Sequence, residues 1–358
     1  MSSKKTPKEN ADATGAEVVN STKRPVFVGL DDGHYAIKGV REDGSTFSVL
    51  SRATLGRQMI TIGGGADDAG LYTTEEGKTF TVSDHLTKPE DTRFNDYPKS
   101  ELNRVLIHHA LLAGGFGGTD VNIVTGLPFN HFYMLDGQPN QVLINAKNDN
   151  VKKGVFSNVK TLANIVSANV STEAIAAYID LLMDIDGNET ADYEEIVQSK
   201  VGVIDIGGKT TDSAVIFPGG GSVDIERSGS ANVGVLMLSA AVGSRLSAHF
   251  DIENMTPRMI DEAIKTGEIK IAGEKFPCAD IVNAEKEKLT ENIMTHVRST
   301  IRKGDDLDLI IFVGGGAIVL KEQLANKFKQ ARFPEAPEFA NARGMLKIAK
   351  YVNETASE

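Results

Sequence analysis

The sequence contains one strand-and-turn pattern twice, and this duplication constrains the fold more than any other feature. In each copy an apolar strand ends in aspartate and glycine, a second strand follows, and another glycine-containing turn leads to a third strand. The first copy spans Val26–Leu50 and the second spans Val201–Arg227. Two meanders with matching carboxylates predict an α/β fold of two duplicated lobes. Each lobe would be a mixed sheet flanked by helices, with the first turns facing each other across a cleft.

The first turn of each copy has the chemistry of a phosphate-binding loop. Asp31-Asp32-Gly33 ends the first strand of one copy, and Asp205 precedes Gly207-Gly208 in the other. Glycine lets the backbone come close to a ligand and direct N–H groups at anionic oxygens. A carboxylate binds a divalent cation or its waters. A single turn of this kind is equally consistent with a plain β-hairpin, and the second copy favours the nucleotide site.

A third glycine segment lies near the end of the chain. The apolar run Leu307–Val313 predicts a buried strand, Gly314-Gly315-Gly316 follows directly, and Ala317–Phe328 has the pattern of a helix. The positive amino end of a helix, reached by a backbone without side chains, suits a phosphate or a nucleoside. A triple glycine alone is a weak signal for a nucleotide site, and the two glycine turns earlier in the chain strengthen it.

Apolar spacing and capping residues predict the main helices, which are Glu101–Ala113, Glu173–Met183, Val235–Phe250, a helix within Ile252–Ile269, and Asp280–Lys303. Adjacent side chains diverge on a helix, so we expect packing or surface roles for His108 and His109 rather than a metal site. The segment Asp184–Asn188 has the appearance of a calcium loop. Glu189 stands where that loop requires glycine, so calcium is excluded.

Length and composition set the domain plan and exclude several functions. We expect a disordered tail at 1–24, a first domain at 25–199 with an irregular insert at about 51–100, a second domain at 200–350, and a C-terminal tail at 351–358. The net charge of -11 opposes direct binding to nucleic acid. No apolar run approaches the roughly 20 residues that span a bilayer, and no export signal is evident. One cysteine, Cys278, excludes an internal disulfide framework. We therefore expect a cytoplasmic protein that does not bind membranes.

The three glycine segments resemble the nucleotide-binding loops of the actin-like ATPase superfamily, which includes actins, sugar kinases and large heat-shock chaperones. They are LDDGHYAIK (Leu30–Lys38), DIGGKTTD (Asp205–Asp212) and FVGGGA (Phe312–Ala317). A narrower resemblance, to the ParM/StbA-type plasmid-segregation actins, is carried by His108–Pro128, Glu173–Tyr178 and Asn341–Ala349. The likeness covers about residues 25–350.

The resemblance implies a role for each matching residue. Asp31 and Asp205 would flank Mg²⁺, one from each lobe, and Glu173 would act with Asp205 as the catalytic pair, positioning or polarising the attacking water. The nucleotide, ATP or GTP, would be bound by a larger set, namely Asp31, Asp32, Gly33, His34, Tyr35, Lys38, Gly207, Gly208, Lys209, Thr210, Gly314, Gly315, Gly316 and Ala317. His34, Tyr35 and Lys209 depart from the small or hydroxyl residues usual in the family, which puts their side-chain contacts to phosphate in doubt.

As function, the resemblance implies an Mg-dependent ATPase that assembles head to tail into dynamic filaments. Such filaments would move plasmid copies apart through a DNA-bound adaptor protein, without contacting DNA directly. Two alternatives stay open at this point. One is a kinase of the same superfamily that phosphorylates a sugar or small acid, and the other is a cytoskeletal scaffold that binds ATP without hydrolysing it.

Overall fold

The computed structural model describes residues 24–58 and 70–352. The tail predicted at 1–24 lies outside this range except for Arg24, and the tail predicted at 351–358 lies outside it except for Tyr351 and Val352. The predicted insert at about 51–100 is described except for 59–69.

The first lobe is built on a five-stranded mixed sheet with the order β3-β2-β1-β7-β9. Its central strand β1 is antiparallel to β2 and parallel to β7. The strands are β1 Val26–Asp32, β2 Ala36–Arg41, β3 Thr46–Leu50, β7 Asp120–Leu127 and β9 Asn164–Thr172. The first meander therefore supplies three of its strands in sequence order, and the two later strands extend the sheet in parallel.

The second lobe repeats this arrangement, with the order β12-β11-β10-β15-β16. Its central strand β10 is antiparallel to β11 and parallel to β15. The strands are β10 Val201–Ile206, β11 Thr211–Ile216, β12 Val223–Ala231, β15 Leu309–Val313 and β16 Ala331–Arg332. All residues of β10, β11 and β15 are buried, as expected for strands covered by helices on both faces. The predicted duplicated α/β fold is confirmed.

The segment predicted to be an irregular insert instead forms strands. Three of them, β4 Ala53–Leu55, β5 Gly70–Thr74 and β6 Thr79–Val82, pair with each other, and β8 Val155–Phe156 joins them from later in the chain. The prediction of irregular structure was wrong here because strands of only three to five residues carry too little alternation for a local pattern to show.

Helices cover the sheets, with the bounds α1 Glu101–Ala113, α2 Phe129–Phe132, α3 Gln141–Lys152, α4 Glu173–Leu182, α5 Tyr193–Gln198, α6 Val235–Phe250, α7 Pro257–Thr266, α8 Ala279–Thr300, α9 Gly315–Val319, α10 Lys321–Leu324 and α11 Ala340–Lys347. A short hairpin, β13 Glu268–Ile271 with β14 Glu274–Pro277, lies between α7 and α8. The predicted bounds of α1 and α6 are confirmed. The single helix predicted over Ala317–Phe328 is wrong, because the helix begins at Gly315 and is interrupted at Leu320.

The proposed boundary between the domains at 199/200 falls in the loop between α5 and β10. Helix α11, late in the chain, returns to pack on β1 and α4. Glycines make this close approach feasible, since a Cβ at Gly344 would lie 1.8 Å from the carbonyl oxygen of Ala176 and one at Gly29 would lie 2.0 Å from that of Ala342. The helix thereby brings Asn341 to the point where the central strands of both lobes end.

Over residues 24–58 and 70–352, none of the helices is long and apolar enough to cross a membrane.

Candidate functional site

A cavity lies where the turns after β1 and β10 meet, and both lobes contribute to its wall. Most of the residues predicted for the site line it, namely Asp31, Asp32, Gly33, His34, Tyr35, Lys38, Glu173, Asp205, Gly207, Gly208, Thr210 and Gly314. The tertiary structure thus brings together residues from three separate glycine segments and from the start of α4.

Lys38 and Asp31 form an ion pair on one wall. They are directly opposed on β2 and β1, so the hairpin register alone places the Lys38 Nζ 3.1 Å from Asp31 Oδ2. Burial lowers the pKa of Lys38, but the carboxylates of Asp31, Asp205 and Glu173 outweigh that effect, and the net pKa lies above its ordinary value. Lys38 is therefore a firmly charged cation facing the cavity.

Asp205 reaches the same cavity from the second lobe. Its Oδ2 accepts a hydrogen bond of 2.7 Å from Asn341 Nδ2, while its buried Oδ1 has no partner among the described residues. Burial, with repulsion from Asp31, raises the pKa of Asp205 to about 7. A Cβ at Gly314 would lie only 2.2 Å from Oδ1, so the glycine leaves room for this carboxylate.

The donor set fits a hydrated divalent cation. Asp31 and Asp205 supply one carboxylate from each lobe, and Asp205 Oδ1 has no hydrogen-bond partner among the described residues. Hard cations prefer such oxygen ligands. Within the described ranges there is no ready cage of three or more His, Cys, Asp or Glu side chains. A cation held here would therefore keep much of its coordination in water or ligand oxygens, as Mg²⁺ usually does at phosphate sites.

Glu173 is the first residue of α4 and lies directly over Gly126 of β7. A Cβ added at Gly126 would be 2.8 Å from Glu173 Cγ and 3.1 Å from Oε1. Burial and the neighbouring carboxylates of Asp212, Asp31 and Asp205 raise its pKa well above the ordinary value. A carboxyl group with a raised pKa at a cavity wall is suited to general acid–base chemistry near neutral pH.

Asp32 lines the cavity, but its carboxylate is engaged by the protein. Lys147 Nζ lies 2.8 Å from Oδ1, Asn103 Nδ2 donates to Oδ2 at 2.8 Å, and the Gly126 N–H donates to Oδ1 at 3.3 Å. These contacts leave little of the carboxylate for a ligand and point to a supporting role instead.

The turn after β10 is fixed by the amino end of α6. The N–H groups of Val235 and Leu236 donate to the carbonyls of Gly207 and Gly208, at 3.1 and 2.9 Å. The Gly207 N–H closes the turn itself by donating to the Thr210 carbonyl at 2.8 Å. The predicted phosphate contact of the Gly207 N–H is therefore already taken up within the turn.

The residues that depart from the family pattern make contacts within the protein. His34 Nδ1 lies 2.7 Å from the Thr92 carbonyl, and burial with the nearby charge of Lys209 lowers its pKa to about 4. Lys209 does not line the cavity, and its Nζ lies 3.4 Å from Asn95 Oδ1 of the other lobe.

In a neighbouring pocket, which shares His34 and Tyr35 with the first cavity, the lobes touch again through Asp261 on α7. Arg52 Nη2 donates to Asp261 Oδ2 in an ion pair, and Tyr35 lines the same pocket. Burial and this carboxylate raise the pKa of Tyr35, which stays a neutral donor.

A second cavity of about 440 Å³ adjoins the first and shares Tyr35 with it. It lies in the second lobe, and its wall includes Gly315, Ile318, Lys265 and Lys286. Three predicted nucleotide residues, Lys209, Gly316 and Ala317, line neither cavity. Gly316 packs against Ile206, and Ala317 is fully buried in the core of the second lobe.

Sequence reasoning missed Lys147, Asn341 and Asp212 as residues of the site. Asp212 accepts from the Phe129 N–H at 2.7 Å, which joins β11 to the start of α2. Burial raises the pKa of Asp212. Asp212 and Asn341 lay inside segments already singled out, but no local pattern assigned them to the site. Lys147 lay outside those segments.

Comparisons with known proteins support the fold. The family model for the N-terminal part of the plasmid segregation protein ParM matches residues 26–184. The model for the C-terminal part of archaeal MreB-like actin homologues matches 203–326. The chain thus resembles ParM over its first lobe and archaeal MreB-like actin homologues over its second. No curated protein sequence matches this chain significantly.

Solved structures show the same fold at low sequence identity. A 15-stranded ParM filament from Clostridium botulinum aligns with a TM-score of 0.70 and 20% identity, covering 92% of this chain and 99% of that one. An archaeal actin homologue in complex with ADP has a TM-score of 0.70 and 21% identity, covering 91% and 99%. Bacillus thuringiensis ParM with AMPPNP has a TM-score of 0.64 and 15% identity, covering 93% and 100%.

Proposed function

We propose that this protein is an Mg-dependent ATPase whose nucleotide cycle opens and closes the two lobes and drives the growth and loss of a filament. The observation that carries the proposal is the convergence of Asp31, Lys38, Asp205 and Glu173 from both lobes on one cavity bounded by glycine turns. Oxygen ligands for a cation, a fixed positive charge and a basic carboxyl group are the parts that phosphoryl transfer to water requires.

The nucleotide would lie across both cavities. Its phosphates would face Lys38 and the N–H groups of the turns at Gly33-His34 and Gly208–Thr210, and Gly314 would give the backbone access to them. The nucleoside would occupy the 440 Å³ cavity beside Gly315. The wall of that cavity includes two lysines, but no feature of it selects ATP over GTP, and we propose ATP from the family relationship.

Mg²⁺, held by Asp31 and Asp205, would neutralise charge on the phosphates during transfer. Each lobe contributes one carboxylate, so the unliganded site carries repulsion that a cation relieves, in line with the raised pKa of Asp205. Lys38, paired with Asp31, adds a positive charge that does not depend on the cation.

Glu173 would orient the attacking water and accept its proton. Its raised pKa makes it a stronger base than an exposed glutamate once it is deprotonated. Its place at the first residue of a helix anchored by α11 holds it firmly against the cavity. Because the water is the acceptor of the phosphoryl group, this chemistry needs no bound metabolite.

Closure of the lobes on ATP would create the subunit shape that packs head to tail, and hydrolysis would weaken the polymer. We propose that the filament acts in the cytoplasm and moves plasmid DNA through a DNA-bound adaptor protein. The net charge of -11 supports an indirect link to DNA.

Light scattering and pelleting of the purified protein with Mg-ATP, Mg-ADP or buffer test the proposal. We expect polymer with ATP that decays as phosphate is released, and persistent polymer for Glu173→Ala. The matched control is Glu189→Ala, an exposed glutamate beyond the end of α4, which should behave as wild type. Assembly that never occurs while ATP is hydrolysed would overturn the filament, and transfer of phosphate to one metabolite would identify a kinase instead.

A further inference from the structure

The pair formed by Asp32 and Lys147 is the most completely buried ion pair at the site. The two side chains are 4% and 1% exposed, with Lys147 Nζ 2.8 Å from the carboxylate. Removing two charges from water is costly, and hydrophobic replacements of such pairs are often no less stable. A pair kept beside a catalytic cavity therefore calls for an explanation beyond stability.

The pair holds both backbone polar groups of a single residue, Gly126. Asp32 Oδ1 accepts from the Gly126 N–H at 3.3 Å, and Lys147 Nζ donates to the Gly126 carbonyl. Strand β7 pairs with β1 only as far as Leu30–Thr125. Beyond this point the side chains of Asp32 and Lys147, rather than the backbone of β1, bond the polar groups of Gly126. Asn103 in turn donates a hydrogen bond to Asp32.

Gly126 is also in close contact with the Glu173 side chain. The contact is close enough that a Cβ at position 126 would be 2.8 Å from Glu173 Cγ. On the other side, β7 pairs with β9 through Gly126–Ser171 and Leu127–Thr172, the residues that lead into Glu173. A shift of the Gly126 backbone would therefore move the carboxyl group that faces the cavity.

We propose that Asp32 and Lys147 act as a clamp on Gly126 that positions Glu173 for hydrolysis. This inference rests on the function proposed above and gives Asp32 a positioning role in place of a nucleotide contact. The Lys147 ammonium donates to Asp32 Oδ1 and to the Gly126 carbonyl and lies 2.8 Å from Asp32 Oδ2, so the protein itself already engages this charge. The clamp therefore acts on the rate of hydrolysis and leaves nucleotide affinity unchanged.

The test is the neutral double variant Asp32→Asn/Lys147→Met. It removes both charges together, which avoids an unpaired buried ion, and it leaves Gly126 without a donor to its carbonyl. We expect kcat for ATP to fall about 10- to 100-fold, the scale of losses from a misplaced catalytic group. The dissociation constant for ATP should stay within about twofold. Hydrogen exchange at the Gly126 amide should become faster.

The matched control is Arg227→Met/Asp306→Asn, which neutralises an arginine–aspartate pair of the second lobe, 8% and 50% exposed, that contacts neither Gly126 nor α4. Its kcat should equal that of wild type. A wild-type kcat in the Asp32/Lys147 variant, or an equal loss in the control, would overturn the clamp and leave the ATPase standing. If wild type does not hydrolyse ATP, the proposed function fails. In that case hydrogen exchange still tests the clamp, because unchanged protection of the Gly126 amide in the double variant would refute it.

Discussion

Breaking the contact between Arg52 and Asp261 should make the protein release its nucleotide faster. The pair joins the first lobe to α7 of the second, in a pocket that shares His34 and Tyr35 with the site cavity. Asp261 also lines the cavity proposed for the nucleoside, whereas Arg52 lines neither cavity proposed for the nucleotide. The effect of Arg52→Ala on the ligand should therefore come through how long the lobes stay closed.

The burial of the two side chains sets the size of the effect. Arg52 is 8% exposed and Asp261 is 25% exposed, which places the pair above surface ion pairs, worth about 0.2–1 kcal/mol. Hydrogen bonds to charged groups contribute roughly 1.5–3 kcal/mol. We take about 1.5 kcal/mol for the contact, and because about 1.4 kcal/mol is tenfold, Arg52→Ala should release nucleotide roughly tenfold faster.

The assay is stopped-flow dissociation of a fluorescent ATP analogue from wild type, Arg52→Ala, Asp261→Ala and the double variant. The two single changes should be strongly non-additive, and the charge-reversed pair Arg52→Asp/Asp261→Arg should recover part of the slow release. Arg24→Ala, which breaks an exposed ion pair with Glu42 inside the first lobe, should release at the wild-type rate. Additive single effects, or unchanged release, would refute closure by this pair.

Two further predictions concern stability. Gly314→Ala should lower the melting temperature, because Gly314 has φ 84° and ψ 169°, a conformation that costs other residues about 1–3 kcal/mol, and its Cβ would strike Asp205. Gly315→Ala, with nothing within 4 Å of its Cβ, should melt like wild type, and equal losses would disprove the steric argument. The second prediction concerns pH. The pKa of Asp205 is raised from 3.8 to about 7 by folding. The free energy of unfolding of the protein without nucleotide or metal should therefore fall as pH rises across that interval. Asp205→Asn should flatten the fall in urea titrations, and an unchanged slope would show that Asp205 is not the group responsible.

Much of the fold was readable from sequence because its signals are local. Each meander encodes its own hairpin register, and that register places Lys38 opposite Asp31 without help from the rest of the chain. The apolar period and flanking residues likewise defined α1 and α6 to the residue. Where the strands were only three to five residues long, as in the insert, the local pattern was too short to reveal them.

The candidate site was predicted in part, for the same reason. Glycine turns and strand-end carboxylates are recognisable in a few consecutive residues, so the sequence predicts Asp31, Asp205 and Gly314, which all line the cavity. What these groups contact depends on packing. Asp205 meets Asn341 and Arg52 meets Asp261 only after the chain has brought helices back across the sheets.

Lys147 shows most clearly which properties depend on the sequence alone and which depend on the tertiary structure. In the sequence it is an ordinary lysine in a polar segment, the kind of residue that is usually solvated. Only the packing of α3 against β9 buries it and places it beside Asp32 and Gly126. Sequence alone determined the two lobes and the chemistry of their turns, because those depend on neighbouring residues. The tertiary structure decided which charges are paired and which stay free for a ligand, because burial and distance between remote side chains exist only in the folded chain.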